Sequence, residues 1–482
     1  MNKIMLILTV AFLSICAYAQ NNTKNEYDEW KPSRDEYTNF DIGKYTTPDI
    51  VRNQLDINVD FRSVNTRTDY SSQDRDVEYE RSSIYGNVSS FFSRYVNTRK
   101  RISNLTGNLS FGEEYLSRKD KQTYKFNNSN IIDNESRSLQ QNSLNLTWTN
   151  KWYFSKLIYL DYGIRSYVSY ISTHNKTKNQ AEEDNEKQKA FSFSLSPQLG
   201  VGYGRIENVQ DARQAVYIAN ALSKKMVLAR NLSDDELFEL SQIASTVKNK
   251  RFLDSRLHLI EEITKLDSFF VSNNLLADNG AAYFTTLNDM WLYGDLFSRQ
   301  SGYELSFLVR PYFDYQDRKY TPVTIDNNST IKQYIASLNF NYEKPFKLKW
   351  QHSLTSEICG DIYSSSVQNK ETNNNYKNST EYKAFGALAY YSLGYFPNTR
   401  TNIQVATSQR IQKVRYDDKQ NAIHFLSTLN ANLYYYFSPN LRLTGNCEFR
   451  YSPNRVKGNE SNYSNEHAFS SYFNVRLTYF IF

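Results

Sequence analysis

The residues best suited to chemistry are acidic and basic side chains at every second position of stretches in which polar and apolar residues alternate. After Leu55, for example, Asp56, Asp60 and Arg62 alternate with apolar residues, which is the period-two pattern of a strand with one polar face. The same pattern recurs along the chain and gives the following candidate pore-lining residues: Asp56, Asp60, Arg62, Asp161, Arg165, Glu304, Arg310, Asp314, Lys349, Glu357, Asp361, Arg442, Glu448 and Arg450.

Two interpretations of these interleaved charges stay open. Acids and bases on facing walls create a transverse electric field, which hydrated pores use for selectivity. Alternatively the charges pair and hold a wall or a plug together, as buried opposite charges usually do. Because the rest of the predicted polar face is also hydrophilic, pore lining is favoured.

The stretch from Phe191 to Gly204 shows the alternation most clearly and marks the organisation of the chain. Its odd-numbered residues are mostly apolar, whereas its even-numbered ones are small or polar. Helical periodicity then replaces the alternation until strands resume at Tyr303. The sequence therefore predicts an all-β transmembrane barrel of about 14 antiparallel strands, with an inserted α-helical bundle between strands 6 and 7.

Connection lengths orient the predicted barrel. Long polar links, such as residues 67–82, 117–138 and 172–189, follow odd-numbered strands, while links such as EKPFK and FPNTR follow even-numbered ones. Short turns are periplasmic and long loops external in such barrels. We therefore expect both termini and the helical insertion on the periplasmic side.

Composition and the N-terminus agree with an exported protein. Residues 1–19 combine a lysine, an apolar run and a small-residue site ending at Ala19, so they are predicted to be a signal peptide cleaved near Ala19. The average hydropathy is negative, yet 39 Tyr and 29 Phe are present, as in a barrel that is wet inside and aromatic outside. The net charge of +6 is small and scattered, which disfavours a nucleic-acid partner.

The predicted domains follow from these boundaries. They are a signal peptide (1–19), a periplasmic N-terminal extension (20–53), strands 1–6 (54–204), a helical insertion that is either periplasmic or a plug (205–300), and strands 7–14 (301–482).

Four helices are predicted in the insertion. Val209, Ala212 and Val216 share one helical face, and Ser233 with Glu236 forms a capping box for a second helix. Further helices are expected at about 252–266 and 282–296. Because these faces are apolar enough to pack together, a bundle is expected rather than a linker.

The position of that bundle is left open between two alternatives. The polar parity of strand 6 consists of small or uncharged residues, and glycine in a strand often marks a close backbone approach. A bundle inside the barrel would contact the following plug-contact candidates: Ser192, Ser194, Ser196, Gln198, Gly200, Gly202 and Gly204. The alternative is that these residues ease curvature while the bundle lies below the barrel as a cap.

No catalytic constellation is predicted. Of the five histidines, only His424 is placed for chemistry, and no nucleophile motif accompanies it. The three glycines at 200, 202 and 204 are an incomplete phosphate-loop pattern. Cys359 and Cys447 fall on opposite strand faces, which disfavours a disulfide or a metal site. We expect no enzyme activity and no cofactor.

The C-terminus and the junction after strand 6 resemble outer-membrane β-barrels of the Bacteroidetes type, a porin-like and poorly characterised group. Phe482 looks like the terminal signal that the barrel-assembly machinery recognises, and residues 202–218, GYGRIENVQDARQAVYI, are similar to a strand-to-helix junction of that group. The resemblance implies a Gram-negative outer-membrane location, with membrane lipids and the assembly machinery as partners. It transfers no functional residue.

Two functions are consistent with these observations. The first is a pore or gated transporter for small hydrophilic solutes. The second is an assembly or docking protein whose helical insertion binds a periplasmic protein partner, with the barrel as its anchor.

Overall fold

Alternating apolar and polar residues form fourteen β-strands, because this period places all the apolar side chains of a strand on one face. The computed structural model describes residues 37, 39–126, 129–179, 183–249, 259–293, 298–322, 325–370, 375–398, 400–416, 421–438, 441–457 and 463–479. The strands are β1 Ile50–Ser71, β2 Arg75–Asn97, β3 Arg101–Tyr124, β4 Ser129–Tyr153, β5 Ile158–Lys178, β6 Glu183–Asn208, β7 Gln300–Thr321, β8 Ile325–Phe346, β9 Trp350–Lys370, β10 Asn375–Tyr395, β11 Thr401–Tyr416, β12 Asn421–Ser438, β13 Leu441–Lys457 and β14 Tyr463–Tyr479.

Each strand pairs antiparallel with the next, in the order β1 to β14. The predicted fold of fourteen antiparallel strands with helices between the sixth and seventh is therefore confirmed. Within the described ranges, β1 pairs with β2 alone and β14 with β13 alone. These two strands are the edges of the sheet.

The predicted long polar loops are wrong. The link predicted at 67–82 is mostly strand, because β1 continues to Ser71 and β2 begins at Arg75. β3 and β5 likewise extend to Tyr124 and Lys178. In these outer segments both faces are polar, so the alternation that reveals a strand in sequence is absent although the backbone ladder continues.

The two faces of the sheet differ in chemistry and curvature. Large apolar side chains are exposed along one face; Val59 and Phe61 on β1 and Val475 on β14 are all more than 70% exposed. On the other face, Lys151 of β4 contacts Glu304 of β7, and Arg205 of β6 reaches Asn97 of β2. Contacts between strands that are not neighbours require this polar face to be concave.

Four helices form the insertion: α1 Gln210–Lys224, α2 Asp234–Asn249, α3 Leu259–Ser272 and α4 Ala281–Tyr293. The capping box is confirmed, since Ser233 N donates to Glu236 Oε2 at 2.8 Å and Glu236 N donates to Ser233 Oγ at 3.3 Å. The prediction for α3 ended too early, because this helix continues to Ser272. No helix among the described residues is long and apolar enough to cross a membrane.

The hydrophobic core lies in the bundle and includes part of the N-terminal extension. Phe40, Ile42 and Tyr45 are buried among the helices, together with Leu348 from the turn between β8 and β9. The domain boundaries shift accordingly, because β1 begins at Ile50 and β6 continues to Asn208. The predicted signal peptide and Phe482 lie outside the described residues.

Candidate functional site at the covered mouth

The helical bundle lies across the end of the sheet that carries the β8–β9 and β10–β11 turns. Arg52, near the start of β1, approaches Asn249 at the end of α2, with 3.4 Å between Nη2 and Oδ1. On the far side, Arg213 of α1 lies over the ring of Phe396, in the turn between β10 and β11. The bundle thus contacts both early and late strands. We call this end of the sheet the mouth.

The N-terminal segment 40–47 is clamped between the bundle and the strand ends. The Ser301 hydroxyl donates to the Gly43 carbonyl, and Thr47 Oγ1 donates to the Asn208 carbonyl. Tyr45 Oη lies 2.8 Å from Ser245 Oγ on α2. Burial raises the pKa of the Tyr45 phenol, so the group stays protonated and available as a donor.

The contact of Tyr45 continues into a buried polar network. Ser245 donates to Asp211 on α1, and Lys248 Nζ lies 2.6 Å from the other oxygen of Asp211. The Lys248 ammonium also lies over the ring of Trp291, whose indole nitrogen donates to Glu262 at 2.7 Å. Because each charged group in this network has a partner, the network joins the N-terminal segment and the helices into one unit.

A second set of contacts, which we call the latch, joins Arg213 of α1 and Arg299, the residue before β7, to the turns of β8–β9 and β10–β11. Arg299 donates to the carbonyls of Leu348 and Trp350 at 2.8 and 2.6 Å, and to Gln351 Oε1 at 2.9 Å. The Arg299 guanidinium lies 4.9 Å from the centre of the Phe396 ring. Its burial, and then the nearby Arg213, lower the pKa of Arg299 to about 9.

Beneath the bundle, side chains on the polar face form a second layer, which we call the mouth cluster. Lys151 Nζ and Glu304 Oε2 are 2.5 Å apart, and Gln198 donates to Asp161 at 2.7 Å. The Tyr159 ring fills the space next to Gly202, where a Cβ atom would lie 2.2 Å from the ring. Glycine is therefore needed at 202 for this ring to lie against the wall.

Arg205 extends the mouth cluster across the concave face. It lies beyond Gly204, whose φ of +110° few other residues tolerate. The Arg205 guanidinium donates to Glu207 at 2.7 Å and to Asn97 at 2.6 Å, and it lies over the ring of Tyr153. These contacts join the end of β6 to the turn between β2 and β3.

The structure pairs several of the predicted pore-lining residues. Arg310 and Glu357 form an ion pair at 2.8 Å, as do Arg450 and Glu448. Asp361 accepts from Gln333, and Asp56 from Gln54. Asp314 accepts from Gln316, and Arg442 lies over Tyr434.

The other predicted positions differ in their surroundings. Asp60, Arg62 and Arg165 lie on strands and are exposed. Lys349 lies in the turn between β8 and β9 rather than in a strand, because β9 begins at Trp350. Asp161 and Glu304 are brought together in the mouth cluster. The role of all these residues as pore lining stays a prediction.

The plug-contact candidates have neighbours on adjacent strands. A Cβ atom at Gly200 or Gly204 would meet the β7 backbone, and Gly202 lies against Tyr159. Gln198 contacts Asp161, and Ser192, Ser194 and Ser196 pair with β5. These contacts agree with curvature of the wall. Contact with a plug stays a prediction.

The sequence analysis missed the residues that join the layers: Lys151, Tyr159, Arg205, Glu207, Arg299 and Phe396. The glycines at 202 and 204 were the available signal, because they leave room for a large side chain on a neighbouring strand. His424 Nδ1 lies 3.1 Å from Asn454 Oδ1 on the paired strand.

Comparisons with known proteins add little to this geometry. No family model and no curated protein matches the sequence. Among solved structures, the chain is similar to the translocator domain of the autotransporter NalP from Neisseria meningitidis, at 10% identity over 80% of this chain and 89% of that chain, with a TM-score of 0.23. It is also similar to the β domain of the Bordetella autotransporter BrkA, at 9% identity over 77% and 98%, with a TM-score of 0.22. Superpositions this loose do not bear on the fold or function of the chain.

Proposed function

We propose that the chain is an outer-membrane β-barrel, and that its polar interior is a gated pore for small hydrophilic solutes. The observation that carries this proposal is the row of exposed apolar side chains along one face, from Ile57 and Phe61 on β1 to Val475 and Leu477 on β14. A contiguous apolar surface of this extent is costly in water but is stabilised by lipid.

The concave polar face then becomes the lumen. Its ion pairs and amides are hydrophilic, as a water-filled path requires. The signal-peptide pattern of residues 1–19 supports export, with lipids and the barrel-assembly machinery as the expected partners.

Two layers would control passage. The bundle covers the mouth and is held there by the latch and by segment 40–47, and the mouth cluster narrows the lumen beneath it. Both layers lie at the mouth, and the proposal places this end of the barrel in the periplasm, opposite the end where the strands continue as polar extensions. A solute would therefore need the bundle to move, while the charges along the lumen wall would set charge preference.

Fixing the bundle in place tests this gating role. In a variant carrying Cys359→Ser and Cys447→Ser, we would introduce Arg52→Cys and Asn249→Cys, whose native side chains are in contact, and join the two thiols with a bifunctional reagent that contains a reducible spacer. The spacer replaces the length of the arginine side chain. Cross-linking should lower conductance in a planar bilayer, and reduction of the spacer should restore it. Each single-cysteine variant is the control. Equal conductance before and after reduction of the cross-linked protein would refute gating by the bundle.

Charge preference has a separate test. Replacing Arg442 and Arg450 with Glu makes the wall more acidic, so the reversal potential should shift toward cation selectivity. Because Arg450 pairs with Glu448, the Glu448→Gln variant shows how much of the effect comes from that pair. An unchanged reversal potential would remove both arginines from the pore lining.

A docking protein remains the second candidate, because the outer helices expose apolar side chains. Ile260 and Val271 lie on one face of α3 and are 80% and 56% exposed, and Phe284 on α4 is 45% exposed. Such a surface could bind a periplasmic protein while the barrel serves as an anchor. Failure of the folded chain to conduct under any condition would favour this function.

A further inference from the structure

Among the described residues, the two edge strands leave the largest number of backbone groups without a hydrogen-bond partner from a neighbouring strand. β1 and β14 each leave one side of the backbone without a ladder partner, and both carry exposed apolar rows. In a lipid environment, backbone N–H and C=O groups must be paired within the protein. An exposed edge of this length is also a template for pairing with another strand.

The direction and parity of the two edges are compatible. β1 runs away from the mouth and β14 runs toward it, as in the antiparallel pairs between all other neighbours. Apart from Tyr70 and Tyr472, the exposed apolar residues are odd-numbered on both strands, and they include Leu55, Ile57, Val59 and Phe61 on β1, and Phe473, Val475, Leu477 and Tyr479 on β14. A pairing of odd with odd residues keeps both rows on the lipid face.

The observed registers limit the possible offset. From Ile50 at the start of β1, successive ladder partners lead through Asn97, Asp161, Ser337 and His424 to Glu466 on β14. Glu466 lies thirteen residues before the end of β14 at Tyr479. Across the sheet the strand ends are therefore displaced relative to the hydrogen-bond direction, as they are in a barrel with tilted strands.

We infer that the sheet closes on itself, with β1 paired to β14 in the register that sets Asp56 opposite Arg476. Ile57 then lies opposite Val475, and Val59 opposite Phe473, on the lipid face. On the lumen face an acid and a base are directly opposed, which stabilises a cross-strand pair. A shift of two residues in either direction places Arg476 opposite Gln54 or Asn58 instead.

This register also gives a reasonable barrel geometry. Glu466 is set opposite Thr66, sixteen residues beyond Ile50, so the shear is sixteen residues. For strands about 4.8 Å apart with a rise of about 3.3 Å per residue, this shear over fourteen strands corresponds to a tilt of about 38°. Membrane barrels have tilts of roughly 35–45°.

Closure deepens the proposed function, because a continuous wall is needed for a pore. Its test is a cross-link and needs no conductance, so the two can fail separately. In a Cys359→Ser, Cys447→Ser background, Asn58→Cys would be combined in turn with Tyr472→Cys, Asn474→Cys or Arg476→Cys. Directly opposed residues have Cβ atoms within disulfide range, whereas diagonal ones are about 7–8 Å apart.

The expected result is at least tenfold faster disulfide formation within one molecule for the 58/474 pair than for the other two, under mild oxidation in detergent or bilayers. Ile57→Cys with Val475→Cys provides a second pair of the opposite hydrogen-bonding type, in case the first pair distorts the strand. Preference for 472 or 476 would overturn the register. Cross-links that form only between molecules, or none for any pair, would overturn closure.

A charge reversal at the Asp56–Arg476 pair tests the register independently of the cross-links. Asp56→Arg should slow refolding or lower the unfolding temperature, and adding Arg476→Asp to the same chain should restore it. The matched control is Asp60→Arg combined with Arg476→Asp. Restoration by both combinations, or by neither, would contradict the register.

Discussion

Truncation of Phe396 to alanine should weaken the attachment of the bundle to the mouth. The ring is 7% exposed and lies beneath the guanidinium groups of both Arg213 and Arg299. Removing a buried phenylalanine side chain costs about 3–5 kcal/mol. Taking about 3 kcal/mol, the ratio of docked to undocked bundle should fall by about two orders of magnitude, since about 1.4 kcal/mol corresponds to a factor of ten.

Hydrogen exchange of the α1 amides in the full chain measures this change. If these amides exchange through undocking, their rates should rise by about a hundredfold in Phe396→Ala. Phe396→Leu keeps most of the apolar volume and loses the ring face, so it should lie between the wild type and Phe396→Ala. Phe154→Ala is the matched control, because Phe154 lies in a turn at the same mouth but is 63% exposed.

Conductance provides the second readout for the Phe396 variants. The open fraction in a planar bilayer should increase in the order Phe154→Ala, Phe396→Leu, Phe396→Ala, with the first equal to the wild type. The reasoning about the latch is refuted if Phe396→Ala leaves α1 exchange within about twofold of the wild type. Equal effects of Phe154→Ala and Phe396→Ala would also refute it.

Three further predictions concern separate contacts. Arg230 and then the Ser233 N–H lower the pKa of Glu236 to about 2. The ionised group therefore contributes stability above about pH 4.5 that is lost as the pH falls toward 2. Because Arg230 is half exposed, Glu236→Gln should cost only about 1 kcal/mol at pH 7 and nothing at pH 2, as measured by thermal melts of the helical circular-dichroism signal. Gly202→Ala places a Cβ atom 2.2 Å from the Tyr159 ring, whereas the Cβ atom of Gly360→Ala meets nothing within 4 Å. In heat-modifiability assays, Gly202→Ala should therefore destabilise the sheet by about 1–3 kcal/mol and Gly360→Ala should not. Equal effects of the two substitutions would contradict the packing of Tyr159 against Gly202. Lys151→Met leaves Glu304 buried without its ion-pair partner. It should therefore destabilise the sheet more than Lys151→Met combined with Glu304→Gln does. Additive losses of stability in the same assay would show that the two groups are not coupled.

Strand number and the site of the helical insertion were predictable because they depend on local periodicity. The run from Phe191 to Gly204 shows its parity within one segment, and Ser233 and Glu236 are three residues apart. Strand length was not predictable by the same means. Beyond the apolar belt, residues such as those at 117–124 are polar on both faces, so their pairing depends on the neighbouring hairpin strand rather than on their own pattern.

The candidate site was predicted only in part, because its contacts join distant parts of the chain. Glu304 and Asp161 could be assigned to the polar face from parity alone. Their surroundings depend on Lys151 of β4 and Gln198 of β6, and hence on how the sheet curves. The Arg299–Phe396 contact joins the end of the insertion to a turn between two later strands, and no spacing in the sequence indicates it.

The covered mouth is tested most directly by single-channel conductance of the full chain and of a variant in which a short flexible linker replaces residues 209–297. This variant retains Arg299 and every strand. If the bundle closes a water-filled pore, the full chain should be mostly non-conducting and the variant should conduct steadily. Equal conductance of the two proteins would contradict closure by the bundle, and no conductance from either folded protein would contradict the pore itself.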